Sequence, residues 1–297
     1  MPGRGTTDPE PDGIGTFRAD ARGQAELQPR ALSHLPLGTY ERVRVPGAPV
    51  PELMVYRPVG AADGPGLYVN LHGGGFVLGD WQSDDPYCRY LADEAGVVVV
   101  NLDYVLAPEH PFPAAVHQTA ALLDWLAAHA ALIGADGSRI AVGGHSAGGN
   151  LSAAACLLTA RRGGPRLRGL LVDYAPLDLA TPPERKVGGT AGSEEAQIGA
   201  RFNAWYLPSP ADGSDELASP VLAADLAGLP PSLVITAEHD LLRAEGDLFA
   251  DRVRAAGVET EHVVVPGAGH GFTHVGPEQD AEAAWSRMAD FLKRVLA

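Results

Sequence analysis

Short apolar runs alternate with amphipathic stretches along most of the chain. The runs are rich in Val, Leu and Ile and predict strands at residues 66–71, 97–102, 140–143, 170–174, 233–236 and 261–265. Their near-continuous apolar content predicts burial on both faces, as in the centre of a parallel sheet. Helical spacing of apolar residues predicts helices between these strands at 113–130, 147–160, 243–256 and 278–296. The alternation favours one doubly wound, mostly parallel sheet with helices on both faces.

The beginning of the chain follows a different pattern. Residues 1–13 are rich in Pro, Gly, Asp and Thr, and we expect them to be disordered. Residues 14–38 have a weak helical pattern broken by prolines, which predicts short helices lying over the main body. From residue 41 to residue 57, alternation around Pro46-Gly47 predicts an antiparallel hairpin. The hairpin brings the predicted sheet to eight strands.

A second interruption covers residues 179–215. This stretch is polar and rich in Gly and Pro, with aromatic residues grouped at Phe202, Trp205 and Tyr206. We expect it to be an insertion in the main domain, which spans residues 39–297. Together with residues 14–38 it would form a small helical lid.

Composition narrows the class of protein. The 297 residues are 45% hydrophobic and 20% charged, which is typical of a globular protein. The net charge of −15 argues against nucleic acid or an anionic membrane as a partner. Two cysteines without a CxxC spacing indicate neither a disulfide scaffold nor a zinc site. With no signal-like N-terminus and no long apolar run, the sequence predicts a cytoplasmic location and no membrane association.

The strongest chemical signal is Gly144-His145-Ser146-Ala147-Gly148. It directly follows a predicted strand and directly precedes a predicted helix, the context that a nucleophile elbow requires. Such a turn strains the backbone and presents the serine hydroxyl above the strand ends. Small residues on either side are needed because the turn brings helix and strand close together. The pattern predicts Ser146 as a nucleophile.

The glycine run in His72-Gly73-Gly74-Gly75-Phe76 follows an earlier predicted strand. Glycines allow the backbone to approach a ligand and to point its N–H groups at it. We therefore predict an oxyanion hole formed by the N–H groups of Gly74, Gly75 and Ala147. The alternative is a flexible turn, which the position of the run at the end of an earlier strand disfavours.

A nucleophilic serine needs a base and an acid that orients the base. His270 lies in a glycine loop between the last predicted strand and the last helix, and we predict it as the base, with His274 as the second candidate. Asp240 and Glu238 both follow the preceding strand; we predict Asp240 as the acid and Glu238 as a supporting residue. Other histidines are predicted to be structural: His34, His110, His117, His129 and His262.

Several motifs occur in a fixed order from about residue 56 to the C-terminus. They are His72–Asp80, Asp103–Ala115, Ser146–Asn150, Ser219-Pro220, Ala237–Arg243 and Gly269–Phe272. In these motifs the chain resembles the hormone-sensitive lipase-like family of α/β-hydrolases, the bacterial family IV esterases. The order Ser146, Asp240, His270 is also that of α/β-hydrolases. The resemblance implies an α/β-hydrolase fold with a lid and hydrolysis of short- to medium-chain esters without a cofactor.

The chain departs from the family pattern at three positions. His145 stands where aspartate is usual, Val105 where arginine is usual, and Leu241 where proline is usual. None of these removes a predicted catalytic group. The replacement by His145 is similar to the elbow of the related arylformamidases, and it brings the substrate range and the pH optimum into question.

The sequence thus predicts a serine carboxylesterase that acts through an acyl-enzyme on short- to medium-chain or compact aromatic esters. Two alternatives remain: an amidase or arylformamidase with the same triad, and a ligand-binding member without turnover. The expected partner is a small-molecule ester, with no metal, and family resemblance makes a homodimer plausible. The residues predicted to contact substrate are Phe76, His145, Phe202, Trp205 and Tyr206.

Overall fold

The computed structural model describes residues 13–26, 39–45, 47–50, 52–60, 64–190 and 192–297. These residues form a single eight-stranded sheet in the order β1-β2-β4-β3-β5-β6-β7-β8. The strands are β1 (Thr39–Arg44), β2 (Glu52–Arg57), β3 (Leu67–Leu71), β4 (Val98–Leu102), β5 (Ile140–His145), β6 (Gly169–Asp173), β7 (Ser232–Ala237) and β8 (Thr260–Val265). β2 pairs antiparallel with both β1 and β4, whereas every pairing among β3 to β8 is parallel. The predicted mostly parallel sheet and its hairpin are confirmed.

Helices cover both faces of the sheet. They are α1 (Ile14–Glu26), α2 (Asp85–Ala95), α3 (Ala114–His129), α4 (Ala147–Arg161), α5 (Glu194–Tyr206), α6 (Arg243–Ala255), α7 (Phe272–Val275) and α8 (Glu278–Leu296). α3, α4 and α6 contribute apolar side chains to the core on one face, and α2 and α8 to the core on the other. The sheet is therefore doubly wound, as the alternation of strands and helices predicts.

Burial on both faces explains why the inner strands lack a polar alternation. In β3, Leu67 and Val69 pack into one core while Tyr68 packs into the other, and none of these side chains is exposed. The parallel pairing places the carboxyl ends of β5, β6 and β7 at the same edge of the sheet. Loops that follow these strands can therefore bring distant residues together there.

The prediction that every parallel strand is buried on both faces is wrong for β8. All six of its residues are only half-buried. β8 pairs with β7 alone and lies at an edge of the sheet. Its apolar residues Val263 and Val265 pack against one core from the periphery.

Three of the described helices have no counterpart with predicted bounds: α2, α5 and the one-turn α7, although the segment that contains α5 was expected to contribute to a helical lid. α2 begins with a proline in its first turn and ends at Gly96, which adopts a left-handed φ of 67°. α5 lies within the predicted insertion; Ser193 caps its N-terminus, and its side chain accepts a hydrogen bond from the Ala196 N–H.

The N-terminal predictions fall partly outside the described residues. α1 occupies the first half of the region 14–38, for which short helices are predicted, while residues 1–12 and 27–38 lie outside. Among the described helices, none combines the length and the apolar character needed to cross a bilayer.

Candidate active site

Ser146 occupies a sharp turn between β5 and α4. Its backbone has φ 49° and ψ −122°, a strained conformation for a residue with a side chain. The Ser146 N–H donates to the Asp173 carbonyl at 2.8 Å, which ties the turn to the end of β6. A Cβ atom at Gly148 would overlap with the Leu71 carbonyl oxygen, so only glycine permits this approach of α4 to β3. The local sequence thus folds as the nucleophile-elbow pattern predicts.

A hydrogen-bonded chain joins three of the predicted residues. Ser146 Oγ lies 3.0 Å from His270 Nε2. On the other side of the ring, His270 Nδ1 lies 2.8 Å from Asp240 Oδ2. Asp240 is buried and its second oxygen accepts the Leu242 N–H at 2.9 Å, whereas the imidazole is 43% exposed. The structure therefore gives one imidazole both a hydroxyl to act on and a carboxylate that fixes its orientation.

Glu238 occupies a different position from Asp240. Its carboxylate accepts a hydrogen bond from the Gly267 N–H at 2.8 Å, at the start of the loop that carries His270. The distance from Asp240 to the imidazole thus favours Asp240 as the acid, and Glu238 holds the loop.

The glycine run forms a tight loop beside Ser146. Gly74 and Gly75 have φ values of 119° and 59°, and the Leu78 N–H donates to the Gly74 carbonyl at 2.9 Å. A Cβ atom at Gly75 would overlap with the ring of Phe202, so α5 packs directly on the loop. Among the described residues, the N–H groups of Gly74, Gly75 and Ala147 donate no hydrogen bond. These three backbone N–H groups near Ser146 are therefore available to donate to a ligand.

Phe76 and Tyr206 lie behind the loop. Their rings stack at a centroid distance of 3.8 Å, and each side chain is at most 2% exposed. Because the two rings bury each other, their position does not support the prediction that they contact substrate. They support the conformation of the loop, in which Phe76 itself has a positive φ of 68°.

Phe202 and Trp205 form an aromatic cluster with Phe17 of α1. The Phe17 ring centroid lies 5.7 Å from that of Phe202 and 5.2 Å from that of Trp205. The Arg201 guanidinium lies over the rings of Phe17 and Trp205, at 4.7 and 5.0 Å. α1 and α5 therefore meet beside the glycine loop. The contribution of Phe17 was missed because the helical pattern of residues 14–38 is weak.

Arg18 fastens α1 to this region. Its guanidinium donates to the Val77 carbonyl at 2.9 Å and to the Ala107 carbonyl at 2.7 Å. It also pairs with Glu109 at 2.6 Å. No local pattern in the sequence indicates these contacts, which connect residues far apart in the chain.

His145 points away from the Ser146 hydroxyl and lies beneath the glycine loop. Its Nε2 atom is 2.9 Å from the Gly73 N–H and 3.0 Å from a carboxylate oxygen of Asp84. Burial lowers the pKa of His145, and the neighbouring His274 lowers it further. The prediction that His145 contacts substrate is therefore not supported by its position.

His274, the second candidate for the base, is joined to this buried group and not to Ser146. Its ring stacks on that of His145 at 3.8 Å with an angle of 18° between the planes. Asp84, His145 and His274 bring three possible metal ligands within 4.8 Å of one another. The Nε2 atoms of His145 and His274 lie 3.0 and 3.4 Å from the same Asp84 oxygen.

Comparisons with known proteins agree with the fold described above. Residues 68–274 match a family described as having the alpha/beta hydrolase fold. The chain is 38% identical to carboxylesterase NlhH of Mycobacterium tuberculosis, covering 96% of this chain and 90% of that protein. It is 34% identical to an ethyl acetate hydrolase of Pseudomonas putida, covering 84% and 78%.

A solved structure extends the agreement to the fold. The hyperthermophilic esterase of the archaeon Pyrobaculum calidifontis superposes with a TM-score of 0.86 at 35% identity, covering 96% of this chain and 94% of that one. The similarity of the two folds therefore extends over nearly the whole of both chains. The chain belongs to the hormone-sensitive lipase-like, bacterial family IV esterases of the α/β-hydrolase fold.

Proposed function

We propose that this protein is a serine carboxylesterase in which Ser146, His270 and Asp240 form the catalytic triad. The observation that carries the proposal is the pair of distances on the two sides of the His270 ring, 3.0 Å to Ser146 Oγ and 2.8 Å to Asp240 Oδ2. This geometry suits a base that receives the serine proton on Nε2 while Nδ1–H donates to a carboxylate. The names of the related proteins support ester hydrolysis as the reaction.

The reaction proceeds in two halves. Ser146 Oγ attacks the ester carbonyl carbon while His270 Nε2 accepts the hydroxyl proton. Collapse of the tetrahedral intermediate breaks the bond to the alcohol oxygen, and His270 returns the proton to the departing alcohol. A water molecule, deprotonated by the same imidazole, then attacks the acyl-enzyme. Collapse of the second tetrahedral intermediate breaks the bond to Ser146 Oγ, His270 returns the proton to that oxygen, and the carboxylic acid is released.

The negative oxygen of each tetrahedral intermediate accepts hydrogen bonds from the N–H groups of Gly74, Gly75 and Ala147. These donors belong to a constrained loop and to the first turn of α4, so their positions are set before substrate arrives. The N-terminus of α4 adds a favourable dipole for negative charge. Removal of one such donor in comparable enzymes costs about 10²–10³-fold in kcat.

The substrate is a short- to medium-chain or compact aromatic ester, with an acyl chain of up to about eight carbons by the size of an ordinary closed pocket. We assign α1 and α5 to a lid, because their aromatic cluster lies against the Gly75 loop. Phe202 and Trp205 then line the substrate pocket. The net charge of −15 opposes docking on anionic lipid surfaces. The cytoplasmic location and the homodimer stay predictions from the sequence.

Steady-state turnover of p-nitrophenyl butyrate tests the triad. Ser146→Ala and His270→Ala should nearly abolish turnover, and Asp240→Asn should lower kcat by about 10⁴-fold, by analogy with the serine-protease triad. The matched control is Glu238→Gln, which should keep most of the activity because Glu238 contacts the Gly267 N–H and not the imidazole.

Two results would contradict the proposal. Loss of activity in Glu238→Gln with full activity in Asp240→Asn would show that the acid is assigned wrongly. A matched pair of butyrate ester and butyranilide distinguishes the esterase from an amidase, since faster cleavage of the anilide would favour the latter.

A further inference from the structure

Thr273 is a fully buried polar residue of α7, three positions after His270. Its hydroxyl donates to Asp173 Oδ2 at 3.0 Å, and its oxygen lies 2.6 Å from Tyr174 Oη. One hydroxyl can make both bonds, since it donates once and can accept from the tyrosine. Asp173 is the last residue of β6, and Tyr174 follows it. Thr273 therefore fastens the segment that follows His270 to the end of β6.

The end of β6 also holds the turn that carries Ser146. The Ser146 N–H donates to the Asp173 carbonyl at 2.8 Å. Tyr174 is fixed by its own N–H, which donates to the Ile235 carbonyl of β7 at 2.8 Å. Its ring packs on the His270 imidazole, with a centroid distance of 5.0 Å and an angle of 71° between the planes. Two consecutive residues thus contact both the nucleophile and the base.

The backbone around His270 has little stiffness of its own. Gly269 and Gly271 flank the histidine; Gly271 has a φ of 77°, and a Cβ atom at Gly269 would meet no other atom within 4 Å. Glycines restrict the backbone least of all residues. The Glu238 carboxylate holds the start of this loop by a hydrogen bond of 2.8 Å. The hydrogen bonds of Thr273 hold its other end.

We propose that Thr273 is a positioning residue that sets the distance between His270 Nε2 and Ser146 Oγ. Its bridge attaches the segment of the base to the strand end that holds the turn of the nucleophile. Loss of the bridge would let the glycine-flanked imidazole shift relative to the serine hydroxyl. The inference rests on the proposed function, because these two groups are the proposed base and nucleophile.

The bridge does not depend on the charge of Asp173. Burial raises the pKa of this carboxyl group, but a protonated carboxyl still has an oxygen that accepts the Thr273 hydroxyl. Thr273 Oγ1 also lies 2.9 Å from Nδ1 of the neighbouring His274. This contact lies within α7 and does not join the helix to β6. The link between the two elements is therefore the pair of bonds to Asp173 and Tyr174.

Thr273→Val removes the hydroxyl and keeps the shape of the side chain. We expect kcat for p-nitrophenyl butyrate to fall by roughly 10- to 100-fold with little change in KM, because base and nucleophile are misaligned while the pocket is intact. Labelling of Ser146 by a p-nitrophenyl alkylphosphonate should slow by a similar factor, since it uses the same base. Thr273→Ser restores a hydroxyl and should recover most of the kcat.

The matched control is Thr119→Val. The Thr119 hydroxyl is also fully buried, and it donates to the Ala115 carbonyl within α3 at 2.8 Å. Its removal costs one buried hydrogen bond, as in the test variant, but touches neither β6 nor the loop of the base. This variant should keep the wild-type kcat.

Thr273→Val combined with Asp173→Leu separates positioning from stability. In the single variant Asp173 loses its donor, and its other oxygen has no hydrogen-bond partner among the described residues. That unpaired group should lower Tm as well as kcat. The double variant removes both partners, so Tm should return towards the wild-type value. Its kcat should stay low, because the hydrogen bond between α7 and β6 is still absent.

The outcomes separate this inference from the proposed function. A wild-type enzyme that does not hydrolyse the ester would overturn the proposed function, and the inference with it. With an active wild type, a folded Thr273→Val variant that retains its kcat would show that the inference alone is wrong. The double variant replaces the single one if the latter does not fold; recovery of its kcat together with its Tm would likewise overturn the inference.

Discussion

Lys186 and Glu245 form a buried ion pair that joins the inserted segment to α6. Lys186 Nζ lies 2.7 and 2.9 Å from the two carboxylate oxygens, and the side chains are 5% and 8% exposed. Glu245 also accepts the N–H groups of Leu177 and Asp178, at 2.7 and 3.2 Å. Burial raises the pKa of Glu245 to about 7, and Lys186 opposes that rise. Replacing Lys186 by methionine would retain most of the side-chain volume but leave Glu245 unpaired.

We expect Lys186→Met to destabilise the protein by about 3–5 kcal/mol at pH 8, as for other buried pairs that lose one partner. For a chain of 297 residues this corresponds to a fall in Tm of about 5–8 °C. Without Lys186, the folded-state pKa of Glu245 lies further above its unfolded value. Glu245 therefore takes up a proton as the pH falls, and the loss of stability should be smaller at pH 5.5 than at pH 8.

Thermal unfolding followed by circular dichroism at both pH values measures the effect. In Lys186→Met/Glu245→Gln the uncharged amide can still accept the Leu177 N–H, so most of the lost stability should return. Lys293 is the other lysine of the chain and its side chain is 49% exposed, which makes Lys293→Met the matched control. A Tm of Lys186→Met within 1–2 °C of the wild type at pH 8, on the scale of roughly 2 °C per kcal/mol, would refute the reasoning.

The remaining predictions concern the pocket and the elbow. Trp205→Ala should raise KM or change the chain-length preference more than it changes the rate at which a small phosphonate labels Ser146. On a series of p-nitrophenyl esters, kcat/KM should be highest for acyl chains of up to about eight carbons; strong activation by emulsified long-chain triglyceride with little butyrate activity would contradict this. Gly148→Ala should cost about 3 kcal/mol or more, visible as a large fall in Tm, because its Cβ would overlap with the Leu71 carbonyl.

Much of the fold could be predicted because buried strands and helices have characteristic patterns of apolar residues in the sequence. β3 and β4 are buried on both faces and read as continuous apolar runs, and the stripe of α8 faces one core. The apolar run of β8 looks the same but lies at an edge of the sheet, where no further strand covers it. A run of apolar residues reports local composition, and the position of a strand in the sheet depends on the whole chain.

The candidate site likewise contains residues that a local sequence pattern indicates and contacts that no local pattern indicates. Ser146, Asp240 and His270 each follow a strand in a recognisable local pattern, so the sequence could indicate all three. Contacts made between distant segments leave no such pattern. Arg18 donates hydrogen bonds to Val77 and Ala107, which are separated from it by 59 and 89 positions in the sequence. His145 contacts Asp84 across a separation of 61 positions.

The proposed reaction depends above all on Ser146 as the nucleophile. Treatment with a p-nitrophenyl alkylphosphonate, followed by intact-mass measurement and peptide mapping, tests it most directly. We expect one phosphonate per chain, attached to Ser146, with loss of butyrate ester turnover in proportion to labelling. Turnover that persists after Ser146 is fully labelled, or an adduct on another residue that alone accounts for the inhibition, would contradict it.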